Sequence, residues 1–122
     1  MATPWIISGA LCCALAVAGG ALGAHALAGR LDPHARELWE MAARYLMYSG
    51  FGQMAAGLTR SARAGAGFAG GCLLAGGALF SVTIGGLALG GPRWLGAVTP
   101  LGGLLLIAGF ALLAWEAVRQ RS

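Results

Sequence analysis

Arg44 is the sole charged side chain between residues 41 and 59, and Glu40 stands four residues before it. On a helix that spacing puts both on one face, with the acid N-terminal to the base, the better order for an ion pair. Arg36 extends the row by one further turn, and Tyr48 adds a ring and a hydroxyl one turn beyond Arg44. An ionisable group at membrane depth marks a functional site by default. The competing reading is a structural clamp, with Arg44 bridging Glu40 and the carbonyls of a neighbouring helix. His25, Tyr45 and Thr99 fall at the same level. A helix starting at Thr99-Pro100 would leave first-turn N–H groups uncovered at Gly102 and Gly103, a positively polarised end suited to an anion or a lipid phosphate. The expected polar site is therefore His25, Glu40, Arg44, Tyr45, Tyr48, Thr99, Gly102 and Gly103.

Other chemistry finds no support. Cys12, Cys13 and Cys72 lie in apolar runs, and adjacent cysteines make neither a zinc nor a redox motif. Two histidines without ligands at metal spacing define no metal site. Nucleophile-elbow, phosphate-loop and dinucleotide motifs are missing from the sequence, so no cofactor and no enzyme activity are expected.

The elements that must position these residues follow from composition. Of 122 residues 58% are hydrophobic and 10% charged, too few charges to cover a soluble surface. Residues 4–27, 64–91 and 94–115 carry no charge apart from that possible on His25. A helix needs about 20 apolar residues to cross the hydrocarbon layer. The sequence thus predicts an all-α integral membrane four-helix bundle, a single four-span domain with helices at about 4–28, 33–58, 66–89 and 100–118. Thr3-Pro4 and Asp32-Pro33 are cap-plus-proline starts. Gly29 and Gly90-Gly91-Pro92 are stops. Pro100 could kink a longer last helix or start a shorter one, and the start is preferred because residues 100–118 suffice to span. The first span lacks the basic leader and short apolar core of a signal peptide, and is expected to be retained. Trp5, Trp39, Trp94 and Trp115 all fall at expected span ends, where indole favours the interface.

Every one of the 8 basic residues is arginine, and no basic stripe suggests nucleic acid. Arg60, Arg63, Arg119 and Arg121 share one side of the expected topology, and Arg30, Arg36 and Arg93 the other. By four arginines to three, the positive-inside rule favours both termini in the cytoplasm, a margin that also permits insertion in both orientations. The chain also has 22 glycines. Gly19 with Gly23, Gly67 with Gly71, and Gly86 with Gly90 form Gly-x-x-x-Gly pairs, expected to pack helices within the bundle or between copies.

Four stretches carry a family resemblance. Residues 23–27 (GAHAL), Trp39-Glu40 followed by Arg44-Tyr45, Leu79-Phe80-Ser81, and residues 99–103 (TPLGG) resemble the YgdD-like family, short four-helix bacterial membrane proteins grouped as domain of unknown function 423. The resemblance implies a bacterial inner-membrane location and assigns no activity. The family tends to read Arg-Tyr-Gln-x-Tyr-His in the second helix, whereas this chain has Leu46 at the glutamine and Ser49 at the histidine position. A proton relay built on that histidine is thereby put in doubt.

Two functional readings result. The first is a non-catalytic interaction or accessory subunit, in contact with membrane lipid and assembled with itself or into a larger membrane complex. The alternative is an oligomeric channel or transporter with a polar path past Arg44 and His25, which four thin helices in one copy leave little room to build.

Overall fold

A computed structural model describes residues 3–58 and 64–121, with side chains at 4–58 and 67–119. Arg60, Arg63 and the Arg121 side chain, on which the expected orientation partly rests, lie outside the residues so described. Four helices make up the fold: α1 (Thr3–His25), α2 (Pro33–Leu58), α3 (Ala64–Ala88) and α4 (Trp94–Arg121). α1, α3 and α4 are long and apolar enough to cross a membrane. α2 is not among them: it carries Arg36, Glu37, Glu40 and Arg44 and the polar Ser49 and Gln53. It runs antiparallel to both α1 and α3 and packs along each.

Local chemistry accounts for most of the ends. The Asp32 carboxylate accepts the Ala35 N–H at 2.7 Å, which is the cap that starts α2 at Pro33. Gly90 has φ +94°. Its N–H reaches the Leu87 carbonyl and that of Gly91 the Gly86 carbonyl, a Schellman closure of α3. Gly90 is therefore a helix stop rather than a packing glycine. α1 ends at His25, three residues early, because the Leu27 N–H turns back to the Leu22 carbonyl at 3.0 Å.

The start of α4 differs from expectation. It begins at Trp94, and Pro100 lies inside the helix. The Thr99 hydroxyl donates to the Leu95 carbonyl at 2.9 Å and lies 2.8 Å from the Thr83 hydroxyl of α3. Thr99 is thus a buried interior residue, tied to its own backbone and to the next helix, where the sequence suggested a cap. Pro100 has no N–H to give the Gly96 carbonyl, so the helix continues there with one backbone bond missing. A free helix N-terminus at Gly102 and Gly103 does not exist.

The helices form an open row. α1 packs on α2, α2 on α3 and α3 on α4, with small diagonal contacts of α2 with α4 and α1 with α3. Among the described residues α1 and α4 do not meet. The bundle therefore has grooves on both sides of the central α2–α3 pair. Outward-facing apolar residues such as Leu11, Leu15, Leu104 and Ile107 are well exposed. Toward hydrocarbon that exposure costs nothing.

Glycines set the helix spacing, but mostly not the expected ones. A Cβ at Gly9 would lie 2.6 Å from the Gly50 carbonyl oxygen, and one at Gly50 2.6 Å from that of Gly9. Gly76 and Gly102 make the matching contact between α3 and α4, where a Cβ on Gly102 would sit 2.6 Å from the Phe80 nitrogen. These are backbone-to-backbone approaches that any side chain would force apart. Of the predicted packing glycines, Gly23 lies directly against the Trp39 ring and Gly86 touches Leu95. A Cβ at Gly19, Gly67 or Gly71 would meet nothing within 4 Å among the described residues, so no close helix approach depends on these three being glycine.

Trp39 and Trp5 turn inward onto neighbouring helices. The Trp39 indole N–H donates to the Gly19 carbonyl at 2.7 Å, and Trp5 covers Gly70. Trp94 and Trp115 are 62% and 57% exposed, as belt residues should be. An indole finds its best apolar contact where a glycine leaves the facing backbone bare, which draws the first two inward.

Candidate functional site

The most polar place in the membrane-embedded core is centred on Gln53, fully buried on α2. Its carbonyl oxygen accepts from the Ser8 hydroxyl of α1 at 2.5 Å. Its amide donates to the Ser49 hydroxyl at 3.0 Å and toward the Cys12 sulfur at 3.4 Å. Ser49, also fully buried, donates in turn to the Leu73 carbonyl of α3 at 2.6 Å. One connected network thus joins three helices with its donors and acceptors matched. Gly77 makes room for Ser49, because a Cβ there would fall on the serine side chain. Two further links follow the same logic: Ser81 donates to the Ala42 carbonyl at 2.8 Å, and Thr83 meets Thr99.

Gln53 escaped the sequence reading although a signal existed. Ala42, Ser49, Gln53 and Ala56 recur at spacings of seven, four and three, one stripe of α2, and all four are buried. Glu116 was missed too. It is 2% exposed, one carboxylate oxygen lies 3.3 Å from Arg119, and the other has no hydrogen-bond partner among the described residues.

The expected eight-residue polar site does not assemble. His25 is exposed at the end of α1. Thr99 is buried against Thr83, and Gly102 against Gly76 and Phe80. Glu40 and Arg44 are both exposed, and among the described residues no ion pair joins them. Helical spacing brings the two Cβ atoms near each other, but both side chains lean toward the N-terminus of α2 and the polar boundary. Single and double substitution of Glu40 and Arg44 by alanine should therefore be additive within about 0.5 kcal/mol in thermal or denaturant unfolding. Coupling well above that would restore the pair.

Tyr45, Tyr48 and Gly103 do come together, in a groove of about 550 Å³ between α2 and α4 completed by Phe80, Leu106, Ile107 and Phe110. Tyr45 stacks on Phe80 with ring centres 4.5 Å apart and meets Tyr48 edge-on at 5.2 Å. The result is an aromatic and aliphatic trough rather than a polar vestibule. A second groove of about 160 Å³ lies between α1, α2 and α3, under Trp39 and Leu15. No group of three or more metal-ligating side chains occurs among the described residues.

A family model described as a protein of unknown function (DUF423) matches residues 19–103. The chain belongs to the DUF423 family. Among its relatives are UPF0382 membrane proteins of Staphylococcus haemolyticus, 43% identical over 110 residues, covering 89% of this chain and 90% of the relative. One from Staphylococcus epidermidis is 42% identical, and one from Staphylococcus aureus 37%, with the same coverage of both chains. No solved structure matches the chain. The DUF423 protein is thus a helical membrane protein of a family to which no molecular activity is attached. The matched region holds Arg44, Ser49, Gln53 and the groove as far as Gly103, while Ser8 and Glu116 lie outside it.

Proposed function

We propose that this DUF423 protein is a non-catalytic accessory subunit of the bacterial inner membrane, with both termini cytoplasmic, acting through contacts with a second copy or a larger membrane complex. The observation that carries this reading is the open row. α1 and α4 stay apart, leaving the outer faces of both uncovered. Catalysis or transport within one copy would call for polar groups held ready for a substrate. The Ser8, Ser49, Gln53, Ser81, Thr83 and Thr99 side chains are instead bonded to one another or to backbone carbonyls. That use is structural.

The test is cross-linking in native membranes. With Cys12, Cys13 and Cys72 replaced by alanine, single cysteines at Leu11 and Leu104 place a reporter on each outer face. At native expression, a cross-linked species of defined mass is expected from at least one position, and none from a cysteine at Ala69, which is buried. A chain that stays uncross-linked from both faces, and purifies alone as a monomer, would remove the accessory reading. Reporter fusions at the C-terminus and in the 90–93 loop should give cytoplasmic and external signals respectively.

A further inference from the structure

We propose that the groove between α2 and α4 holds one anionic phospholipid, its phosphate at Arg44 and one acyl chain along the groove. The inference goes beyond the accessory reading and does not depend on it. It starts from the cost of Arg44. The residue lies five positions past Trp39, about 7 Å deeper along the helix. It is exposed on the membrane face, and no ion pair with a carboxylate is present among the described residues. A guanidinium in that setting must find an anion or reach the polar boundary. Because helical side chains lean toward the N-terminus of their helix, Arg44 rises toward the end where α2 enters the membrane. That is the level of lipid phosphates, which guanidinium binds with two parallel hydrogen bonds.

The groove begins at Tyr45, the chain neighbour of Arg44, and runs toward the bilayer centre. Arg44 is not part of its lining, but Tyr48, which is, stands four residues on along the same helical face, so the charged residue borders the groove. α4 runs parallel to α2 here, with Gly103 at the Arg44 end and Phe110 about 10 Å further in, where it meets Gly52. The floor is open because residue 103 is glycine: a Cβ there would stand 3.9 Å from the Phe80 ring without touching anything closer. The walls are the Tyr45, Tyr48 and Phe110 rings with Leu106 and Ile107. A cation at the headgroup end and a narrow apolar trough leading inward match a phospholipid in both charge and direction. A second copy of the chain would bring an apolar helix to the trough and leave Arg44 without an anion.

Native mass spectrometry on protein taken from vesicles of equal phosphatidylglycerol and phosphatidylcholine tests this, read as the fraction of chains retaining one phosphatidylglycerol. Wild type should retain it preferentially. Arg44→Gln should lower that retention about tenfold, the loss of one charge-assisted contact, whereas Arg44→Lys should keep most of it. Arg36→Gln, two turns nearer the helix start, should leave retention unchanged. Gly103→Leu, which fills the trough, should lower retention with the thermal unfolding midpoint unaltered. Excess inorganic phosphate should not displace the lipid, since the groove holds the chain as well as the phosphate. Equal retention by wild type and Arg44→Gln would overturn the proposal, as would equal losses from Arg36→Gln and Arg44→Gln. So would displacement by inorganic phosphate, or a dimer lost in Gly103→Leu while the lipid stays bound.

Discussion

Gly50→Leu is expected to prevent the protein from accumulating in membranes, while Gly71→Leu leaves it at wild-type level. The contrast comes from what each new side chain would meet. At Gly50 a Cβ would stand 2.6 Å from the Gly9 carbonyl and 2.5 Å from the Cys13 sulfur. The oxygen belongs to helix backbone, which cannot move aside without separating α1 from α2. In lipid, helix association rests on close packing and interhelical hydrogen bonds rather than on a hydrophobic driving force. Separating these two helices would also break the Ser8–Gln53 bond. Gly9→Leu and Gly102→Leu should fail likewise, the latter by parting α3 from α4. Gly19→Leu and Gly67→Leu should behave as Gly71→Leu does. Quantitative immunoblotting of membranes, with melting in mild detergent for the variants that accumulate, measures the series. A stable Gly50→Leu would show that α1 and α2 do not approach so closely. Loss at Gly67 and Gly71 instead would move the packing role to contacts between copies.

That series also shows where sequence was a good guide and where it was not. Asp32 and Gly90 were legible because a capping residue acts on its own backbone, and the chemistry is complete within four or five residues. The Gly-x-x-x-Gly pairs gave a flat strip but not the direction it faces. Gly9 and Gly50, or Gly76 and Gly102, become partners only when two helices meet, and no spacing along one helix encodes that. Pro100 was ambiguous for another reason. Thr-Pro is the same dipeptide whether threonine caps a new helix or bonds back to its own preceding turn, and only the Thr83–Thr99 contact decides. Glu40 and Arg44 failed because proximity on a helix is necessary for an ion pair but not sufficient. Both sit on the face left open by the row, where polar headgroups serve each charge separately. From the expected site, Tyr45, Tyr48 and Gly103 line one groove, since they lie on facing helices, and Arg44 is next to Tyr45 in the chain but outside the lining.

Replacing Gln53 by leucine, close to it in size, should lower stability by about 1–2 kcal/mol, near the upper end for interhelical polar contacts in membranes. Three contacts disappear at once, to Ser8, Ser49 and Cys12. None of the partners is left wholly stranded, because Ser49 keeps the Leu73 carbonyl and Ser8 has that of Trp5 at 3.4 Å. This limits the loss. Ser8→Ala combined with Gln53→Leu should cost less than the two single changes added together, since both remove the same bond. Glu116→Gln offers the opposite case on a side chain equally buried. Among the described residues one of its carboxylate oxygens lacks a partner, and an unsatisfied buried acceptor costs about 1–3 kcal/mol. Taking away the charge relieves part of that cost while giving up only the 3.3 Å contact to Arg119, which is itself about half exposed. Glu116→Gln should therefore be neutral to slightly stabilising in the same unfolding measurement that registers Gln53→Leu as a loss. If Glu116→Gln proved the more damaging of the two, the stability of the bundle would rest on its carboxylate at the end of α4. The Gln53 network would then be a minor contributor.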